Sequence, residues 1–145
     1  MNDKQLPLNQ IGHLIPQKAP FVMVDHLLDF TSDKVSSSFL ISKENIFVKD
    51  DQFLEPGLIE NMAQSVALHT GYDYFLKGEA APTGYIGAIK KVEVFSLPKL
   101  NDTIRTEVKI LQEFMGVTMV EVAVFNAHDE KLAQAEMKTV IAPDA

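Results

Sequence analysis

The sequence predicts an α+β fold in which a strongly twisted, six-stranded antiparallel sheet curls round one long helix. Three observations carry this. Residues 58–74 hold apolar side chains on well over half of a helical wheel; the segments on either side alternate, or run apolar, as strands do; and the joints between the later strands are short. A helix apolar on most sides must be enclosed, and a sheet that bends round it does so while keeping its own outer face in water. The 145 residues, 46% of them hydrophobic, suffice for one core and are too few for two, so a single domain over 1–145 is expected.

The elements follow in order. Pro7, Pro16 and Pro20 restrict residues 5–20 to a short helix at most, about 8–15, where Leu8, Ile11, Leu14 and Ile15 fall at helical spacing. Residues 21–29 are rich in branched and aromatic side chains and read as a strand that starts after Pro20. Residues 34–41 alternate Val35, Ser37, Phe39 and Ile41 against Ser36, Ser38 and Leu40, and the Thr31-Ser32-Asp33 turn makes the two a hairpin. Residues 42–55 read as a loop. Glu55-Pro56-Gly57 then supplies the start signals for the long helix, which carries Leu58, Ile59, Met62, Val66 and Leu68, with Ala63 and Ala67 in the gaps. After Gly84, strands are expected at about 85–95, 103–114, 117–126 and 131–141. They are joined at 97–102, 115–116 and 127–130, which predicts an antiparallel meander.

Composition excludes several function classes. The absence of Cys removes thiol nucleophiles, Cys-ligated zinc and disulfide scaffolds. Thirteen basic against twenty acidic residues give a net charge of -7, which repels nucleic-acid phosphates and anionic lipid. The first residues lack the basic-then-apolar order of a signal peptide, and no apolar run approaches the length of a membrane span, so a soluble cytoplasmic protein is expected. No His and carboxylate residues show metal-ligand spacing on a predicted element, so neither a metal nor any other cofactor is expected.

The stretch Leu14-Ile15-Pro16-Gln17-Lys18-Ala19-Pro20-Phe21-Val22-Met23-Val24-Asp25 resembles the opening motif of the FabZ-type 3-hydroxyacyl-carrier-protein dehydratases. Three further stretches agree in order: Pro56-Gly57; Glu60-Asn61-Met62-Ala63-Gln64; and Tyr85-Ile86-Gly87-Ala88-Ile89-Lys90-Lys91-Val92, followed by Pro98 and Asn101-Asp102. The resemblance spans residues 11–141. Residues 59–69 look closer still to a divergent branch, the dehydratase-like proteins of aryl-polyene and flexirubin pigment pathways. It implies the hotdog fold, pairing through sheets into a homodimer or a heterodimer with another hotdog chain, and acyl tunnels at the interface. It also implies dehydration of 3-hydroxyacyl groups held on acyl carrier protein, or as a CoA thioester.

That reaction removes a proton α to a thioester carbonyl and expels a β-hydroxyl as water, so it needs a base, an acid and a donor to the carbonyl oxygen. The family shares the acid and base roles between a loop His and a helix Glu. The Glu maps onto Glu60. The His maps onto no His: its place falls near Asp50 or Asp51 when counted forward, near 46–48 when counted back, and the loop is shorter by a few residues.

Each candidate has a chemical and a plain reading. Glu60, among apolar neighbours, suits a general base, or pairs with a lysine or solvent at the helix rim. Gln64, four residues on, shares its face and is placed to orient it, or satisfies nearby backbone. His69 lies nine steps of about 100° from Glu60, on the opposite side of the helix and about 13 Å along it, so direct pairing within one chain is not expected. It is read as a satisfied interface histidine or as part of another site. His13 is placed to line a tunnel mouth or lie on a helix surface, His26 lies in the first strand, and His128 sits in a solvated turn. Gly57 is a candidate to present its N–H to the thioester oxygen, as the matching glycine of the family does, or only turns the chain into the helix. Gly87 allows close approach of an acyl thioester or marks a bulge. Phe21, Met62, Ile86 and Phe95 are candidates for a tunnel wall or ordinary core. Lys90, Lys91 and Lys99 are read as a basic rim for docking an acidic carrier protein, or as a charged edge that resists aggregation. Two other functions compete with dehydration: an acyl thioesterase, which needs no loop His, and a non-catalytic subunit that binds acyl chains or completes a partner's site.

Overall fold

A 22-residue helix, α1 (Glu55–Leu76), forms the axis of the computed structural model, which describes residues 5–141. Pro56 sits in its first turn, where its missing N–H costs nothing. Among the described residues the main sheet has six antiparallel strands: β1 (His26–Thr31), β2 (Lys34–Leu40), β5 (Gly84–Val94), β6 (Thr103–Phe114), β7 (Val117–Phe125) and β8 (Lys131–Ile141). The order across it is β1-β2-β6-β7-β8-β5. Two short strands, β3 (Val48–Lys49) and β4 (Gln52–Phe53), form a separate hairpin before the helix. The expected hotdog layout is therefore present.

The core lies between α1 and the concave side of the sheet. Val35, Phe39, Ile104, Val108, Val120, Val122, Val124, Ala135 and Met137 alternate inward along the strands, and Leu58, Met62, Val66 and Leu68 meet them from the helix. Strands that are polar outward and apolar inward need only one covered face, which is why this sheet tolerates water on its back.

Four expectations are corrected. The first is the short helix at 8–15, which does not form. Leu8 instead exchanges both backbone hydrogen bonds with Leu27 (2.8 and 2.9 Å), and Leu14 N–H donates to Ile11 O in a turn. Leu8, Ile11, Leu14 and Ile15 are buried all the same, so the apolar spacing reflected burial of a looped segment. That segment crosses the helix at Gly71, where a Cβ would stand 1.9 Å from the Leu14 carbonyl oxygen. The second is the first strand, which begins at His26, because the backbone of 21–23 is bonded to helix side chains and only from Asp25 onward to β2. The third is the meander, which holds only for β6-β7-β8. Strand β5 pairs with β8 alone, and residues 95–102 cross from that edge to β6 instead of closing a hairpin. The fourth is the loop at 42–55, which contains the β3-β4 hairpin; its turn residues Asp50 and Asp51 have φ of 52° and 61°, and aspartate is among the few side chains that tolerate that region.

Candidate functional site

Most of the helix surface is covered, and one flank is not. Gly57, Leu58, Asn61, Met62, Gln64, Ser65, Val66, Leu68, His69, Gly71 and Tyr72 are buried, whereas Ile59, Glu60, Ala63, Ala67, Thr70 and Tyr74 are half-buried. At about 100° per residue those six fall within one band of the wheel. Glu60 stands at the edge of this band and near the N-terminal end of α1, a carboxylate beside small and apolar groups.

Its position is held by an amide. Gln64 Nε2 donates to Glu60 Oε1 (3.1 Å) and to Phe21 O (2.8 Å), while Gln64 Oε1 accepts from Met23 N–H (2.7 Å). Both readings of Gln64 thus apply together: it touches the carboxylate and also satisfies the backbone of the preceding segment. Phe21 is drawn beside Glu60 by the same amide, and its side chain is exposed. Thr106 is not among the sequence candidates, and Asn61 enters there only as a member of the helix motif, without a role. Thr106 Oγ1 donates to Asn61 Oδ1, Asn61 Nδ2 donates to Met23 O (2.7 Å), and both side chains are fully buried. At inward-facing positions a lone Asn or Thr reads as a gap in an apolar pattern, so no local signal marks it.

Other candidates lie elsewhere. Asp50 and Asp51 occupy the exposed β3-β4 turn, which is anchored to the crossover by Leu100 N–H donating to Asp51 O (2.8 Å). Gly57 donates its N–H to Leu54 O (3.0 Å), so that group is engaged in the helix's first turn; a Cβ there would lie 2.4 Å from the Phe53 ring and 2.8 Å from Phe47. Close packing against two aromatic residues is thus sufficient reason for this glycine. His69 bonds Thr31 O through Nε2 (2.9 Å) and stacks on Phe30, on the covered side of the helix. His13 meets the Phe75 ring edge-on, and His128 lies in the exposed turn between β7 and β8. His26 opens β1.

Strand β5 contacts α1 and shows both its faces to solvent. By register Ile86 and Ile89 face the concave side, the side of the helix, yet both are 39% exposed. Gly87 is the extra residue of a bulge between Ile86 and Ala88, tight against Val140. Lys91 pairs with Glu136 across the strands (3.1 Å), and Lys90 is on the same strand. Lys99 lies in the crossover, bridged through its backbone to Gln52, whereas the other two lysines are on β5. Met62 is core, whereas Phe95 is exposed at the end of β5.

Neither of two surface hollows includes Glu60. The larger, about 760 Å³, lies on the sheet's outer face. Its charges neutralise one another: Arg105 reaches Asp129 (2.7 Å) and Glu107 (2.9 Å), and these carboxylates hold its guanidinium still more firmly protonated. Among the described residues no three His, Asp or Glu side chains converge as metal ligands do, and no helix is long and apolar enough to cross a membrane.

This helix, wrapped by this sheet and carrying its carboxylate on an open flank, has counterparts. The sequence matches the ApeP-like family, described as ApeP dehydratase, over residues 9–145. The chain belongs to that family. It is 28% identical to the 3-hydroxyacyl-[acyl-carrier-protein] dehydratase FabZ of Clostridium botulinum (strain Loch Maree / Type A3), across 96% of this chain and 98% of that protein. The FabZ of Aliivibrio fischeri is 26% identical over 94% and 93% of the two chains. Among solved structures, the dehydratase heterocomplex ApeI:P from Xenorhabdus doucetiae superposes with a TM-score of 0.86 at 16% identity, covering 97% of this chain and 94% of that one. The protein smu.793 of Streptococcus mutans, bound to acetyl CoA, has a TM-score of 0.69 at 12% identity, over 90% of this chain and 97% of that one. These structural likenesses speak for the fold of this ApeP-like chain.

Proposed function

We propose that this ApeP-like protein dehydrates 3-hydroxyacyl groups carried as thioesters on an acyl carrier protein, working in the cytoplasm as one half of a dimer with a second hotdog chain. The observation that carries the reading is the placement of Glu60: it is the carboxylate on the helix's open flank, braced by Gln64, with Phe21 beside it. An acyl chain lying along that flank meets Ile59, Ala63 and Ala67, which are small or apolar and half-buried. A second chain docked along the free edge of β5 covers the exposed Ile86 and Ile89 and turns the open flank into a channel that excludes water.

In this scheme Glu60 takes the proton α to the thioester carbonyl. The C–H electron pair becomes the α,β double bond, the β C–O bond breaks, and the hydroxyl leaves as water; the proton that Glu60 then carries is the nearest one available to it. The N-terminal end of α1 lies about 7.5 Å along the axis from Glu60 and favours the negative charge that develops on the carbonyl oxygen. Lys90 and Lys91 are retained as contacts for an acidic carrier.

A partner-subunit reading is favoured by one feature, the absence of His from residues 42–57, so the test is run with and without a co-expressed second hotdog chain. A 3-hydroxyacyl thioester is supplied and enoyl absorbance is followed, with free thiol as the readout of thioesterase action. Glu60→Gln is expected to lower enoyl formation about 100-fold or more while the fold is kept. A rate within about threefold of the parent removes Glu60 from the mechanism, and thiol release without enoyl product makes the protein a thioesterase.

A further inference from the structure

The hydrogen bonds around Gln64 form a directed chain that starts in the sheet. Thr106 on β6 donates to Asn61 Oδ1, which leaves Asn61 Nδ2 to donate to Met23 O (2.7 Å). Met23 N–H donates to Gln64 Oε1 (2.7 Å), and Gln64 Nε2 donates to Phe21 O and to Glu60 Oε1. An amide has no intrinsic preference between its two ends, so its partners decide which one faces the carboxylate. Here the decision is made by Met23: its N–H can donate only to the oxygen end of Gln64, which turns the NH2 end toward Glu60. Were the amide reversed, two oxygens would confront each other at Glu60 and an NH2 group would face the Met23 N–H.

Met23 is in turn held by Asn61, and Asn61 by Thr106. A second line of bonds fixes the same helix turn against the sheet, since Ser65 Oγ donates to Asn61 O (2.8 Å) and meets Ser37 Oγ on β2 (2.8 Å). Asn61, Gln64, Ser65, Thr106 and Ser37 are all fully buried, so the bonds that link them to one another and to Met23 are shielded from water, and only the last link, from Gln64 to Glu60 and Phe21, is part-exposed.

Resting on the assignment of Glu60 above, we infer that Asn61 and Thr106 are positioning residues of the reaction: through Met23 they set the orientation of the Gln64 amide and so the place of the Glu60 carboxylate and the Phe21 wall. They touch no substrate. Their effect is on how often the carboxylate stands where the α proton is, which is a property of turnover more than of acyl binding.

Thr106→Val keeps shape and branching while removing the hydroxyl, and Thr106→Ser restores the hydroxyl without the methyl. Assayed with the second hotdog chain present, Thr106→Val is expected to lower kcat about tenfold with KM within about twofold, Thr106→Ser to recover most of kcat, and Asn61→Ala to lower kcat at least as far as Thr106→Val. The inference is overturned if Thr106→Val and Asn61→Ala keep the parent kcat, if Thr106→Ser is as slow as Thr106→Val, or if both lose thermal stability with kcat unchanged. Glu60→Gln, measured alongside, separates the two claims. A full rate in that variant removes the Glu60 assignment and this inference with it, whereas its loss beside an unimpaired Thr106→Val removes the positioning role alone.

Discussion

The two edges of the sheet are finished in opposite ways. At one, β1 is 6 residues long, carries a bulge at Leu28 and has Leu8 bonded on its outer side. Phe30 of that strand stacks on His69 and meets the edge of Tyr72, so the margin is tied down to the helix. At the other edge β5 is 11 residues long, has no strand beyond it among the described residues, and exposes Tyr85, Ile86, Ile89 and Val92. A long unpaired strand with apolar side chains is a template for pairing, and proteins that stay single blunt such edges with charge or proline. Here β1 is covered by Leu8 and short, whereas β5, although it carries two bulges and Lys90, Lys91 and Glu93, keeps its apolar side chains exposed along an uncovered edge. The contrast marks the β1 margin as closed and leaves the β5 margin as the one where the proposed second chain would dock.

The contrast is broken most forcefully at β5. Ile89→Glu puts a charge where the second chain is expected, and should weaken association about 30-fold or more, as loss of a central interface residue does. Sedimentation of parent and variant with the second hotdog chain measures it; unchanged association would show that β5 is not the assembling edge. On the closed side the prediction is loss of stability with assembly kept. Gly71→Ala forces a methyl against the Leu14 carbonyl and should cost about 1–3 kcal/mol in urea unfolding. A cost near zero would mean that the N-terminal segment lifts from the helix freely and that this margin is less firmly closed than its contacts imply. The smallest effect concerns pH. Burial pushes the Tyr72 hydroxyl above its ordinary 10.0. The unfolded chain therefore releases that proton first, so this contribution to stability is intact below pH 10.0 and is lost as pH rises through the folded-state value. Tyr72→Phe should unfold with a shallower decline in alkaline buffer; an identical decline would detach Tyr72 from the effect.

Much of this architecture was legible in the residues. The turns at 115–116 and 127–130 are short and their flanking strands alternate, so β6, β7 and β8 follow from local pattern. The place of β5 does not. Residues 95–102 are long enough either to turn back or to cross, and only the packed sheet decides. The segment at 21–23 misled for a related reason, since its composition suits a strand but Phe21 O and the Met23 backbone bond to Asn61 and Gln64, about 40 residues away in sequence. In the site, Glu60 and Gln64 stood out by helix spacing and by resemblance to a known motif. Asn61 lies within that motif, yet neither it nor Thr106 could be given a role from it, because a buried polar residue is distinguished by its partners, and those are set by tertiary structure.

The turn at Asp50 and Asp51 bears on how related sequences are to be interpreted. Both residues have left-handed backbone angles, a conformation open in practice to glycine, asparagine and aspartate. A survey of relatives sharing this hairpin would find those three types there for steric reasons alone. An acidic residue that persists at these two positions is accordingly no sign of proton transfer, however well it aligns with a histidine in more distant chains.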